Sequence, residues 1–266
     1  MFRAPDMHSS LPTGFRLATG TLTIIPVGSL PAISKREAAW AMSLAPIAVL
    51  PLAVLSAAIT AAAHALRLPG EVTAGLILAV LAWGTRAMHW DGLTDTADGF
   101  AAGWDRERAL QVMRLGNVGP VGVGSLVVVI LLDVFALAAI ESRPNGWVAV
   151  GALVVVSRAA LAMAASVRMP AARDEGLGAV VAGSVPLGVT FVVMLLALAF
   201  MMFTGHLAGL GEVHVLLATT CGFAAVLFLL RVARRIVGGV TGDVLGAAIE
   251  LLFCVLAVTL SAGIAS

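Results

Sequence analysis

The chain has 266 residues, of which 60% are hydrophobic and 12% charged, with a formal net charge of +1 and a mean hydropathy of +1.04. Soluble domains carry about 25% charged residues, so an ordinary soluble enzyme, a disordered chain and a basic nucleic-acid binder are all excluded. Long unbroken apolar runs, rather than short alternating segments, indicate an all-α, polytopic membrane helical bundle. The whole chain, 1–266, reads as one integral-membrane domain, and residues 1–38 as its cytoplasmic N-terminal arm. The first residues lack a short apolar core before a small-residue cleavage site, so a cleaved signal peptide is not expected.

A membrane-spanning helix needs about 20 mostly apolar residues. Seven runs qualify, at 40–63, 72–90, 119–140, 146–167, 186–203, 213–230 and 244–264. The second and fifth have the weakest boundaries, so six is the alternative count. Cys221 and Cys254 fall inside apolar runs and read as small core residues. The basic residues divide by side. Arg3, Arg16, Lys35 and Arg36 lie in the arm; Arg106, Arg108 and Arg114 in the second connection; Arg168 and Arg173 in the fourth; Arg231, Arg234 and Arg235 in the sixth. Only Arg67 and Arg143 fall in the alternate connections. The positive-inside rule then puts the N-terminus and the even connections in the cytoplasm.

The second connection, 91–118, opens with the most informative stretch, His89-Trp90-Asp91-Gly92-Leu93-Thr94-Asp95-Thr96-Ala97-Asp98-Gly99. Asp91, Asp95 and Asp98 recur at helical spacing and share one face. Three like charges stacked beside a membrane repel each other unless a cation intervenes. Carboxylates are hard ligands suited to Mg²⁺, with Mn²⁺ the alternative. The three aspartates are therefore the expected metal ligands. A merely solvated acidic helix end would need no such spacing. Farther on, Arg114 precedes Gly116, Gly119 and Gly122. A cation beside open backbone N–H groups at a helix start suits phosphate, whereas glycines alone suit close helix packing.

Other polar residues in or beside the spans have readings of their own. Asp243 is either an N-cap for the last helix or a site residue, completing the metal site or acting as a base. Glu250, deeper in that span, needs a cation, and Arg158 is the candidate. Arg158 also has the chemistry to bind phosphate. Arg86 lies one turn before the aspartates and could bridge an aspartate or a phosphate. Arg173, in the fourth connection, is explained by the positive-inside rule alone. His89 could bond Asp91 or substrate. Asp133 is expected to make a structural hydrogen bond.

Taken together these segments resemble the cobalamin synthase family, the adenosylcobinamide-GDP ribazoletransferases. His89 to Gly99 resembles that family's HxDGxxDTADG signature. Leu22-Thr23-Ile24-Ile25-Pro26 is similar to its L-T-R-x-P element, and Met113-Arg114 with Gly119 to its M-[KR]-x-x-x-x-G segment. Ala172-Arg173-Asp174-Glu175-Gly176-Leu177-Gly178 resembles its A-R-x-x-G-L-G loop. Gly238-Gly239-Val240-Thr241-Gly242-Asp243-Val244-Leu245-Gly246-Ala247 resembles its GGxTGDxxGA motif. Ile24, Leu115 and Phe253 depart from residues common there: Arg, Asp and a second acid respectively. The resemblance implies an Mg²⁺-dependent phosphotransferase of the cytoplasmic membrane. Its substrates would be adenosylcobinamide-GDP and α-ribazole or its 5′-phosphate, with GMP released. Asp91, Asp95, Asp98 and Asp243 would carry the chemistry. Arg86, His89, Arg114, Arg158, Arg173 and Glu250 would hold substrate. A homo-oligomer is compatible with the sequence; a nucleic-acid partner is not expected.

Two other classes compete. CDP-alcohol phosphotransferases also stack aspartates on a membrane helix, but Asp91-Gly92 is not followed by Ala-Arg, and no aspartate lies four or eight residues after Gly99. A transporter would gather its polar groups at the midplane, often in repeated halves; here they gather at one face.

Overall fold

The structure is a computed structural model that describes residues 7–143 and 145–262, with side chains from residue 11 onward. It is built of helices: α1 (Met7–Leu22), α2 (Lys35–Ser43), α3 (Ala45–Ala48), α4 (Leu50–Ala65), α5 (Gly70–Gly84), α6 (Met88–Ala101) and α7 (Arg106–Leu115). There follow α8 (Pro120–Glu141), α9 (Gly146–Ser157), α10 (Ala159–Ala164), α11 (Leu177–Val181), α12 (Leu187–Leu207), α13 (Glu212–Ile236) and α14 (Gly242–Ser261). Among the described residues, β pairing is limited to two isolated parallel bridges, Ser166 with Val185 and Ala171 with Val240.

Among the described residues, five stretches are long and apolar enough to cross a bilayer: α8, α9 with α10, α12, α13 and α14. A sixth arises if α5 and α6 count as one bent span. The two other expected runs are the ones that the structure interrupts. Pro46 and Pro51 sit in the first turns of α3 and α4, where a residue without an N–H starts a helix but cannot continue one. The run at 40–63 is thereby divided, and α4 keeps 16 residues, about 24 Å of helix. The run at 72–90 turns through 89° between α5 and α6. Arg86 and Ala87 form that elbow with φ of 58° and 54°, a conformation that non-glycine residues rarely adopt. The C-terminal end of α1 holds it. The Arg86 guanidinium donates to the carbonyls of Thr23 (3.0 Å) and Gly20 (2.8 Å), and the Ile24 N–H donates to the Gly84 carbonyl at 2.8 Å.

The centre is α14, packed against α6, α8, α9, α10 and α13. Along its most apolar 18 residues the α9–α10 stretch is 83% buried, against 22% for α8 and for α12. Large apolar side chains such as Phe191 (69% exposed) and Phe228 (67%) face outward, as expected of a lipid-facing surface. Cys254 is buried, as expected, but Cys221 is exposed; its position on α13 turns it to the outer surface.

Candidate active site

The acidic signature lies wholly on α6, so the expected helical stacking of its aspartates is present. Asp91 is exposed, whereas Asp95 and Asp98 are 7% and 8% exposed. The site forms where α6 crosses the first turn of α14, and glycine on both helices permits that crossing. A Cβ on Gly92 would stand 2.7 Å from the Asp243 carbonyl oxygen and 3.2 Å from Gly246 Cα; one on Gly246 would stand 3.2 Å from His89 Cα. The signature's first glycine and the last glycine of TGDxxG thus meet backbone to backbone. That approach brings Asp91 and Asp95 alongside Asp243, so Asp95 feels the charges of Asp91, Asp243 and Asp98, opposed by Arg173.

Asp98 has a partner of its own. It accepts the N–H of Gly119 at 2.6 Å and that of Gly122 at 2.8 Å. The carboxylate thereby caps the N-terminus of α8, where the helix dipole favours an anion. A side chain on Gly122 would run into it. Two of the backbone N–H groups that the sequence offers to phosphate, those of Gly119 and Gly122, are therefore taken by the protein itself. Arg114 is exposed at the end of α7, one residue before the helix closes at Leu115.

Asp243 is not the N-cap of α14. Thr241 is: its hydroxyl oxygen accepts the Val244 N–H at 3.2 Å, and its O–H donates to Asp243 Oδ2 at 3.1 Å. Arg173 approaches the same oxygen at 3.9 Å while donating to the Leu110 carbonyl at 2.9 Å. The loop that carries Arg173 is held by backbone pairing. The Val240 N–H donates to the Pro170 carbonyl, and the Ala172 N–H to the Val240 carbonyl. Gly178 lies so close to Val240 and Thr241 that a Cβ there would fall 2.7 Å from the Val240 carbonyl oxygen.

Two cations that sequence reading treats as ordinary positives fasten this assembly. Arg106 donates to the carbonyls of Val237 and Ala172, both at 3.0 Å, and so ties the second, fourth and sixth connections together. Lys35 donates to the carbonyls of Ala179, Val180 and Ala182, closing the C-terminal end of α11. No local pattern marks either role, because both partners are backbone oxygens distant in sequence.

The remaining predicted residues stand apart from the aspartates. Arg86 serves the elbow. His89 faces Glu250, with Nδ1 to Oε1 at 3.6 Å, rather than Asp91. Arg158 is 2% exposed and donates to the Val154 carbonyl and the Ser157 hydroxyl. It makes no ion pair with Glu250 among the described residues. His89, Arg158, Glu250 and Phe253 border a void of about 10 Å³, room for at most one water. Asp133 is 1% exposed and its Oδ1 is buried without a hydrogen-bond partner among the described residues, so the expected structural hydrogen bond is not seen at that oxygen.

Among the described residues no three acidic, histidine or cysteine side chains form a ready-made metal cage. Mg²⁺ needs no such cage, because it keeps several waters and is bound through one or two carboxylates plus substrate phosphates. Asp91 and Asp95 supply hard oxygen donors in an acid cluster that Arg173 opposes, so the residues fit such an ion.

Residues 14–261 match the family described as cobalamin-5-phosphate synthase. An adenosylcobinamide-GDP ribazoletransferase of Nocardioides sp. is 44% identical over 237 residues, 89% of this chain and 93% of the relative. One of Frankia casuarinae is 34% identical over 251 residues, 89% of this chain and 90% of the relative. One of Sinorhizobium medicae is 41% identical over 188 residues, 67% of this chain and 69% of the relative. No solved structure matches the chain.

Proposed function

The chain belongs to the cobalamin-5-phosphate synthase family, an enzyme family of cobalamin synthesis, and on that premise we propose that it joins adenosylcobinamide-GDP to α-ribazole or its 5′-phosphate with release of GMP. The observation that carries this reading is the crossing of α6 and α14, which sets Asp91 and Asp95 beside Asp243. Breaking a diphosphate linkage requires charge to be neutralised on the transferred phosphorus and on the departing GMP. Asp91 and Asp95 would hold Mg²⁺, which neutralises diphosphate charge when bound. Arg173 faces the same space and supplies a fixed cation. Asp243, oriented by Thr241, accepts the proton of the attacking ribazole hydroxyl. The new P–O bond forms to that oxygen, and the bond to GMP breaks. Asp98 acts at one remove, fixing α6 to α8. Glu250, His89 and Arg158 brace the crossing from beneath.

The active site faces the cytoplasm of the inner membrane. Support comes from the common end of the bundle shared by Asp243 at the start of α14 and by Arg231, Arg234 and Arg235 at the end of α13, since cytoplasmic ends are rich in arginine. A transport pathway finds no support: the buried polar groups enclose a void of about 10 Å³, too small for any solute beyond water.

The test is direct. Membranes containing the protein, given adenosylcobinamide-GDP, α-ribazole and Mg²⁺, should form a cobalamin and release GMP in equal amounts. Chelating the divalent cation should abolish both products, and restoring Mg²⁺ should return them. No product under conditions where a relative from Nocardioides works, or product unaffected by chelation, would overturn the reading.

A further inference from the structure

A cavity of about 660 Å³ lies away from the acidic cluster. It is a groove between the first turns of α12 and the last turns of α13, floored by α10 and the segment after it. Met163, Met169, Phe191, Met194, Leu227 and Leu230 make its wall. Arg168, Arg231 and Arg234 line it as well, and all three are exposed. Among the described residues none of the three has a hydrogen bond or a carboxylate within ion-pair distance.

An apolar trough with three unneutralised guanidinium groups is complementary to an amphiphile with an apolar tail and an anionic head. The trough opens on helices whose outer faces are apolar, so its surroundings are lipid. From Arg234 to Leu227 the wall descends two helical turns, about 10 Å, room for the upper part of an acyl chain lying against the bundle below its phosphate. The nucleotide-bearing substrate matches poorly. A corrinoid rim of amides needs donors and acceptors, yet the polar groups in the groove besides the arginines are Ser166 and Thr190, and the Thr190 hydroxyl is already spent on the Ala162 carbonyl.

We propose that this groove binds one acidic phospholipid of the surrounding leaflet, its phosphate against Arg168, Arg231 and Arg234 and an acyl chain between α12 and α13. Three clustered cations favour a lipid of net negative charge over a zwitterionic one, because each basic side chain near a membrane surface adds to the attraction.

Purified full-length protein in detergent is titrated with phosphatidylglycerol and, separately, with phosphatidylcholine, and bound lipid is counted by native mass spectrometry. One phosphatidylglycerol is expected to bind in preference to phosphatidylcholine. Arg231→Gln and Arg234→Gln should each weaken it roughly fivefold. Arg235→Gln, next in sequence but outside the groove, should leave it unchanged. Gel filtration establishes that each variant is folded, and Arg168→Gln serves in place of either that is not. Equal binding of the two lipids, or equal loss with Arg235→Gln, would overturn the proposal. So would displacement of the lipid by adenosylcobinamide-GDP, which would make the groove a substrate subsite.

Discussion

Asp95→Asn lowers the rate of GMP release on the order of 10³-fold, while the protein remains in the membrane and its metal-free form melts at an unchanged or higher temperature. The two directions follow from one observation. Asp95 is buried beside α14 and feels three other carboxylates, Asp91, Asp98 and Asp243. Asparagine keeps the shape and removes a charge. Repulsion within the cluster falls, so the metal-free fold loses nothing. A hard anionic ligand disappears, so charge on the diphosphate is no longer met. A residue that merely supports the fold would lower stability and rate together. Rates of wild type and variant under saturating Mg²⁺, with melting curves in chelator, separate the cases. A variant that keeps wild-type turnover would contradict the assignment.

Gly92→Ala should be nearly as damaging through geometry alone. The added Cβ meets backbone, with Asp243 O at 2.7 Å, Asp243 Cα at 3.1 Å and Gly246 Cα at 3.2 Å. No side chain can swing aside, so α6 and α14 must separate. Overpacking of this kind costs about 1–3 kcal/mol, and misplacing reacting groups by about 1 Å costs roughly 10² in rate. Gly75→Ala on α5 and Gly124→Ala on α8 are the controls, since a Cβ at either meets nothing within 4 Å. Both should keep full activity. Melting temperature and turnover of the three variants give the comparison; a Gly92→Ala protein as active as the two controls would refute the close crossing.

The helical, membrane-embedded nature of the chain is legible because hydropathy is a one-dimensional signal, and the aspartates stand out because the background is so apolar. Pro46 and Pro51 announce the division of the first run. The elbow at Arg86 and Ala87 has no such marker. Neither residue favours a positive φ, and what holds it comes from α1, more than sixty positions earlier. The partners of His89, Glu250 and Arg158 depend on the mutual rotation of three helices, which sequence spacing does not encode. Asp98 illustrates the same point within the signature itself. Its spacing matches its neighbours', yet the glycines at 119 and 122 divert its carboxylate to α8. Thr241 as the cap of α14 was open to sequence reasoning, since threonine two residues before an acid suits an N-terminus.

The central claim is that Asp91 and Asp95 hold the divalent cation beside Asp243. Anomalous scattering from the protein loaded with Mn²⁺ tests it most directly. A peak bordered by the Asp91 and Asp95 carboxylates, absent in Asp95→Asn, is the predicted result; a peak elsewhere, or one that persists in the variant, would contradict it.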